Sequence, residues 1–221
     1  MIQQPDEERF AGAILEVELQ RRYEVEAESD VAARVLETLR GGVWHTTNSN
    51  RYKAILSTGA ILPEPPIPDC NRWGNGLGTI GCPYVRSIGG VSLFDFRDFD
   101  PDEYSNEYPI SSWREFVPFR SEWGEAIWIE VDVSEVRTRF ISGREILDRW
   151  KMEQATNRFM PLIEAAHIGA LPVKAFRQVL YVSREYRPAS ASGRVLLESV
   201  NRVDMRSGTR QACLSFRRVE R

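Results

Sequence analysis

Gly42-Val43-Trp44-His45-Thr46-Thr47, running directly into Asn48-Ser49-Asn50-Arg51, is the stretch on which the fold turns. Its first half has the β-branched and aromatic content of a short strand. The polar run that follows offers a side-chain oxygen to the free amides of a helix over about residues 50–58, which Gly59 stops. Upstream, Phe10, Ile14 and Val17, with Leu15 and Leu19 beside them, recur at helical spacing and predict a helix over residues 6–28. A second helix begins after Ser29, buries Val31, Val35, Leu36 and Leu39, and ends at Gly41 and Gly42. Residues 1–42 therefore read as an N-terminal helical segment ahead of a body at 43–221. Downstream, residues 63–90 hold five prolines, too many for regular structure, and predict a functional surface loop. Strands are predicted at 91–96, 126–133 and 179–183, a helix at 143–153, and a hairpin pairing 194–203 with 209–217 across Arg206-Ser207-Gly208-Thr209. The result is a mixed α+β domain whose second half is mostly strand.

Composition narrows the class. Hydrophobic residues make up 42% and charged residues 28% of 221 positions, an ordinary globular balance that excludes disordered and fibrous chains. No apolar run reaches the roughly 18 residues of a membrane span, and MIQQPDEERF lacks the features of a signal peptide, so a cytoplasmic protein with no membrane partner is expected. Cys70, Cys82 and Cys213 form no CxxC pair and have no nearby histidines, which predicts reduced thiols and no metal. A net charge of -3 excludes a protein that coats polyanions. The charge is unevenly spread: residues 1–40 carry ten acids against five bases, whereas 194–221 carry seven arginines against Glu198, Asp204 and Glu220.

Three segments carry the chemistry. His45-x-Thr47 precedes a helix ending Ile55-Leu56-x-x-Gly59-x-Ile61; Val91-Ser92-Leu93-Phe94 is the middle element; and Glu164 stands in Leu162-Ile163-Glu164-Ala165-Ala166-His167-Ile168-Gly169-Ala170-Leu171-Pro172-Val173, leading to Phe176 and the strand at Val179. This order resembles the ADP-ribosyltransferase fold, with its Arg or His on the first strand, Ser or Tyr region on the next, and Glu on a late strand. Within that fold it is most similar to the DarT-type toxins that ADP-ribosylate DNA. The family's Asn six residues after the histidine is here Arg51.

The resemblance implies an ADP-ribosyltransferase-like mixed or antiparallel β core behind N-terminal helices, NAD as co-substrate, and no metal. It implies Glu164 as the catalytic acid. His45, Thr46, Thr47, Arg51, Ser92 and Phe94 then bind NAD, with Phe94 or Trp44 as an aromatic wall for nicotinamide. A carboxylate suits this chemistry because breaking the nicotinamide–ribose bond builds positive charge on the sugar. A strand histidine hydrogen-bonds a ribose hydroxyl from a rigid element, and an arginine beside it reaches a pyrophosphate. Nucleic acid is the first acceptor implied, with an antitoxin or hydrolase counterpart. The alternatives are the same fold modifying protein or hydrolysing NAD, an RNA 2'-phosphotransferase, a glycosidase pairing Glu130 with Glu164, and a non-catalytic interaction module. Each residue also has a plain structural reading: a packed His45 or His167, a solvent-facing strand glutamate at Glu164, a packed Ser92, and a solvated Arg51.

Overall fold

The computed structural model describes residues 32–68, 82–120, 123–189 and 193–219. The helix expected over 6–28 and the Gly74–Gly78 run of the proline-rich segment lie outside them. The chain divides into two units, Met1–Thr38 and Leu39–Arg221. Residues 32–39 are helical (α1), and all the strands belong to the second unit.

In chain order the second unit contains β1 (Val43–Thr47), α2 (Ser49–Thr58), β2 (Ala60–Ile61), α3 (Tyr84–Ser87), β3 (Gly90–Asp95), α4 (Pro101–Glu107) and β4 (Glu125–Val131). Then follow α5 (Val133–Val136), β5 (Phe140–Ile141), α6 (Gly143–Met152), β6 (Glu164–Ile168), β7 (Leu171–Pro172), β8 (Phe176–Ala189), β9 (Gly193–Asp204) and β10 (Arg210–Val219). Local chemistry sets these bounds. The Asn48 side chain accepts from the Arg51 amide at 2.9 Å to open α2, and Gly59, at φ 75°, closes it. Asp100 caps α4, whose first turn holds Pro101. Ser142 and Glu145 form a reciprocal capping box on α6.

Eight strands form one sheet in the order β10-β9-β8-β4-β1-β3-β6-β5, every pairing antiparallel, while β2 and β7 pair separately. The fold is therefore α+β with an antiparallel sheet. One core cluster, including Val43, Tyr52, Leu93, Ile127, Ile129, Ala165 and Val179, gathers residues from five neighbouring strands under α2. A separate aromatic group stacks Phe94 on Phe96 and sets Phe94 edge-on to both Phe116 and Trp128. Fully burying such a side chain contributes roughly 1.5–3 kcal/mol.

Several expectations need correcting. The strand over 126–133 stops at Val131, because the Asp132 side chain accepts from the Ser134 amide and starts α5. The strand expected at 179–183 runs from Phe176 to Ala189, since β4 and β9 pair along its two edges. The segment over 63–90 is not all loop: Tyr84 and Val85 are buried in α3.

Candidate functional site

The decisive feature is a parting of strands. β1 and β3 pair only at Val43↔Asp95 and Trp44↔Phe94, although both continue as strands. Beyond those pairs β1 stays laddered to β4 on its other edge and β3 to β6, so residues 45–47 and 91–93 face each other across a gap. A cavity of about 440 Å³ opens there, within the usual range for ligand sites. His45, Thr46, Thr47, Arg51, Ser92, Phe94 and Glu164 all line it.

Glu164 is the first residue of β6 and only 3% exposed. One carboxylate oxygen accepts from the Ser92 hydroxyl, and the other from the Met160 amide at 2.9 Å. The Glu164 amide in turn donates to the Met160 carbonyl at 2.8 Å. Burial pushes this carboxyl above its ordinary range, and the two hydrogen bonds oppose the shift without cancelling it. The turn delivering it is tight: Leu162 has φ 62°, and Gly143, buried at the start of α6, packs against the Leu162 carbonyl. Such backbone strain and a raised buried carboxyl concentrate at functional sites.

Across the cavity, His45 Nδ1 lies 3.1 Å from the Ser92 carbonyl. A carbonyl only accepts, so Nδ1 carries the proton and Nε2 of the neutral ring is an acceptor. Burial lowers the imidazole below its ordinary value; the Ser92 bond opposes this, and the Arg51 charge adds to it. Arg51 stands in the first turn of α2, a helix tied to β4 by Glu125, which accepts from the Ser49 amide at 3.0 Å. Thr46 Oγ1 is buried and has no hydrogen-bond partner among the described residues. Thr46 lines the cavity as a residue, while its hydroxyl is itself enclosed, a polar group left without a partner at a cost to the folded state.

Two expectations are corrected here. Trp44 does not wall the cavity: it is 1% exposed and its indole N–H donates to the Leu39 carbonyl at 2.8 Å. The paired carboxylates of a glycosidase are not assembled, because Glu130 bonds Gln178 and Arg177 and lines a different cavity. His167 is buried, with Nδ1 3.2 Å from the Gly169 carbonyl, as a structural histidine would be.

Sequence reading missed several wall residues. Phe116, Trp123 and Met160 contribute, as do Pro63, Pro65, Pro66 and Pro83 from the two described ends of the proline-rich segment. Arg86 of α3 forms a bidentate ion pair with Glu64, joining those ends at the cavity. A larger cavity of about 540 Å³ is ringed by Asp95, Asp98, Asp100, Glu103 and Glu107, whose carboxylates outnumber Arg97 and Arg144 and disfavour a pyrophosphate.

No family model, curated protein or solved structure matches the chain. The functional reading therefore stands on motif order and cavity chemistry.

Proposed function

We propose that this chain is an NAD-dependent mono-ADP-ribosyltransferase of the ADP-ribosyltransferase fold, similar to the DarT type, that modifies a macromolecule and takes nucleic acid as its first acceptor. One observation supports this above the others: His45, Ser92 and Glu164, far apart in sequence and adjacent in the motif order, converge on the gap where β1 and β3 part.

Each residue has a role suited to its chemistry. Glu164, held by Ser92 and Met160, presents a fixed carboxylate where the C1'–N bond to nicotinamide breaks. The electron pair of that bond leaves with nicotinamide, the carboxylate stabilises the cationic sugar until the acceptor attacks C1', and the acceptor's proton passes to the same carboxylate. The positive pyridinium of bound NAD favours the ionised form against the burial that raises the carboxyl. His45 accepts a ribose hydroxyl through Nε2, and Arg51 binds the pyrophosphate. Phe94 and Phe116 offer ring surface to the nicotinamide.

The test is release of nicotinamide and transfer of labelled ADP-ribose to DNA, RNA and mixed protein, with Glu164→Gln beside the wild type. Transfer by the wild type and its loss in a folded variant support the proposal. Equal turnover by both overturns it.

A further inference from the structure

The cavity that holds Glu130, about 440 Å³ in volume, is lined by polar residues alone, two of them arginines. Glu130, Gln178 and Asp204 are register partners across β4, β8 and β9, and Glu130 also pairs with Trp44 on β1. Their side chains therefore share the face of the sheet turned away from His45. The carboxylates here have donors of their own. Glu130 accepts from the Gln178 side-chain amide and, at 3.5 Å, from Arg177, while Asp204 accepts from the Arg206 and Ser207 backbone amides at 2.8 Å each. Ser207 donates to Thr209 Oγ1 at 2.9 Å, which leaves the Thr209 hydroxyl proton to be given elsewhere. Arg202 is the exception. No ion pair or side-chain hydrogen bond among the described residues includes it: Nε is enclosed without a partner, and the terminal nitrogens, which are not enclosed, stay unbonded at the cavity. A partly buried cation without a counter-charge costs the folded state, and an anion on its open nitrogens offsets that cost.

The structure assigns to this cavity a small phosphorylated sugar, with the phosphate on Arg202, Arg177 and the Thr209 hydroxyl and the sugar hydroxyls on Glu130 and Asp204. Charge decides the head group. Two guanidiniums and a hydroxyl donor match a phosphate monoester dianion, whereas the single carboxylate of an amino acid leaves one guanidinium unused. Arg177 is largely exposed and sits at the limit of bonding distance from Glu130, so it turns to an anion at little cost. Glu130 and Asp204 repel an anion, so the rest of the ligand must meet them with neutral donors. Hydroxyls do this. No aromatic or aliphatic side chain lines the cavity, and a nucleobase or acyl chain therefore finds no surface to pack on.

This inference does not rest on the transferase reading, and its test needs no NAD. Calorimetry of the full chain measures binding of ribose 5-phosphate, with ribose, inorganic phosphate, alanine and a 5'-phosphorylated trinucleotide as comparisons. The variants are Arg202→Met, Thr209→Val and His45→Ala, each checked by thermal melting. Wild type binds ribose 5-phosphate more tightly than any comparison ligand, and His45→Ala binds it equally well. Arg202→Met keeps the side-chain stem, melts no lower than wild type without ligand, and loses about tenfold or more in affinity, as removal of a charged hydrogen bond does. Thr209→Val, an exposed change, loses roughly threefold. No binding by wild type, or wild-type affinity in either Arg202→Met or Thr209→Val, overturns the inference. So does loss of binding in His45→Ala, which moves the ligand to the other cavity. Tighter binding of alanine or of the trinucleotide overturns the choice of ligand, and an Arg202→Met chain that melts well below wild type shows a guanidinium held by the protein itself, which removes the reason for an anion.

Discussion

Replacing Gly143 by alanine tests whether the approach of α6 to the Leu162 turn holds Glu164 in place. A Cβ added at Gly143 falls 1.7 Å from the Leu162 carbonyl oxygen and 2.5 Å from its carbon. A tolerable carbon–oxygen contact needs about 3.3 Å, so the two backbones must separate by about 1.6 Å. Neither partner is the end of a flexible side chain. In an open helix alanine is worth up to about 1 kcal/mol more than glycine. Overpacking costs about 1–3 kcal/mol, and backbone against backbone belongs at the upper end, so the clash wins by about 2 kcal/mol. For a chain of this length that lowers the melting temperature by about 4–8 °C. Activity falls further than stability predicts, because Met160, which bonds Glu164 through both its amide and its carbonyl, sits in the same turn. Calorimetry and nicotinamide release at 20 °C below the variant's melting point measure the two effects. An unchanged or raised melting temperature with full activity refutes the reasoning.

Glu164→Gln should lower transfer by about 100-fold or more, as loss of one transition-state electrostatic contact does. Because the folded carboxyl titrates above its ordinary value of 4.5, its ionisation opposes folding as pH rises, so the wild type's melting temperature should fall relative to the variant's as pH rises above 4.5. Ser92→Ala removes a bond that lowers the Glu164 carboxyl, and the acid limb of the pH–rate profile should move to higher pH. His45 and His167 both titrate below 6.5 in the folded chain, so the unfolded chain takes up protons first; stability from these groups is complete above pH 6.5 and falls as pH drops, which acid melting curves measure. Thr46→Val removes an orphaned hydroxyl and should leave the ligand-free protein as stable or more stable by about 1 kcal/mol, measured by denaturant unfolding; a loss of stability means that the hydroxyl is satisfied in solution.

What the sequence made legible was local. The Asn48 cap, the Gly59 stop and the strand before them depend on residues a few positions apart, as does the β9–β10 turn. The order of His45, Ser92 and Glu164 was equally visible. Their convergence was not, because it depends on strand order and on where β1 leaves β3, properties of distant pairings. β6 has a strand signal weakened by Ala165 and Ala166, which are small because the strand is packed on both faces at 0% exposure. Trp44 was misplaced for a simpler reason: alternation puts it on the other side of β1 from His45, where its N–H reaches Leu39. The contribution of Phe116 and Trp123 had no periodic signal at all, since neither lies in a strand or α-helix.

The short ladder between β1 and β3 also makes the sheet a book with a narrow spine. One leaf is β10-β9-β8-β4-β1 and the other β3-β6-β5, joined along the backbone by two residue pairs and by Gly41 and Gly42 bonding Phe96 at 2.9 Å, and through side chains by His45 to the Ser92 carbonyl and by the core the two leaves share. Any molecule that bonds His45 on one leaf and Glu164 on the other clasps them shut. At 100 times its dissociation constant such a ligand adds about 2.7 kcal/mol to stability, about 5–11 °C in melting temperature for a protein of this size. Heat resistance is thus a direct readout of the clasp, and a panel of nucleotides screened by melting alone identifies the donor before any acceptor is known.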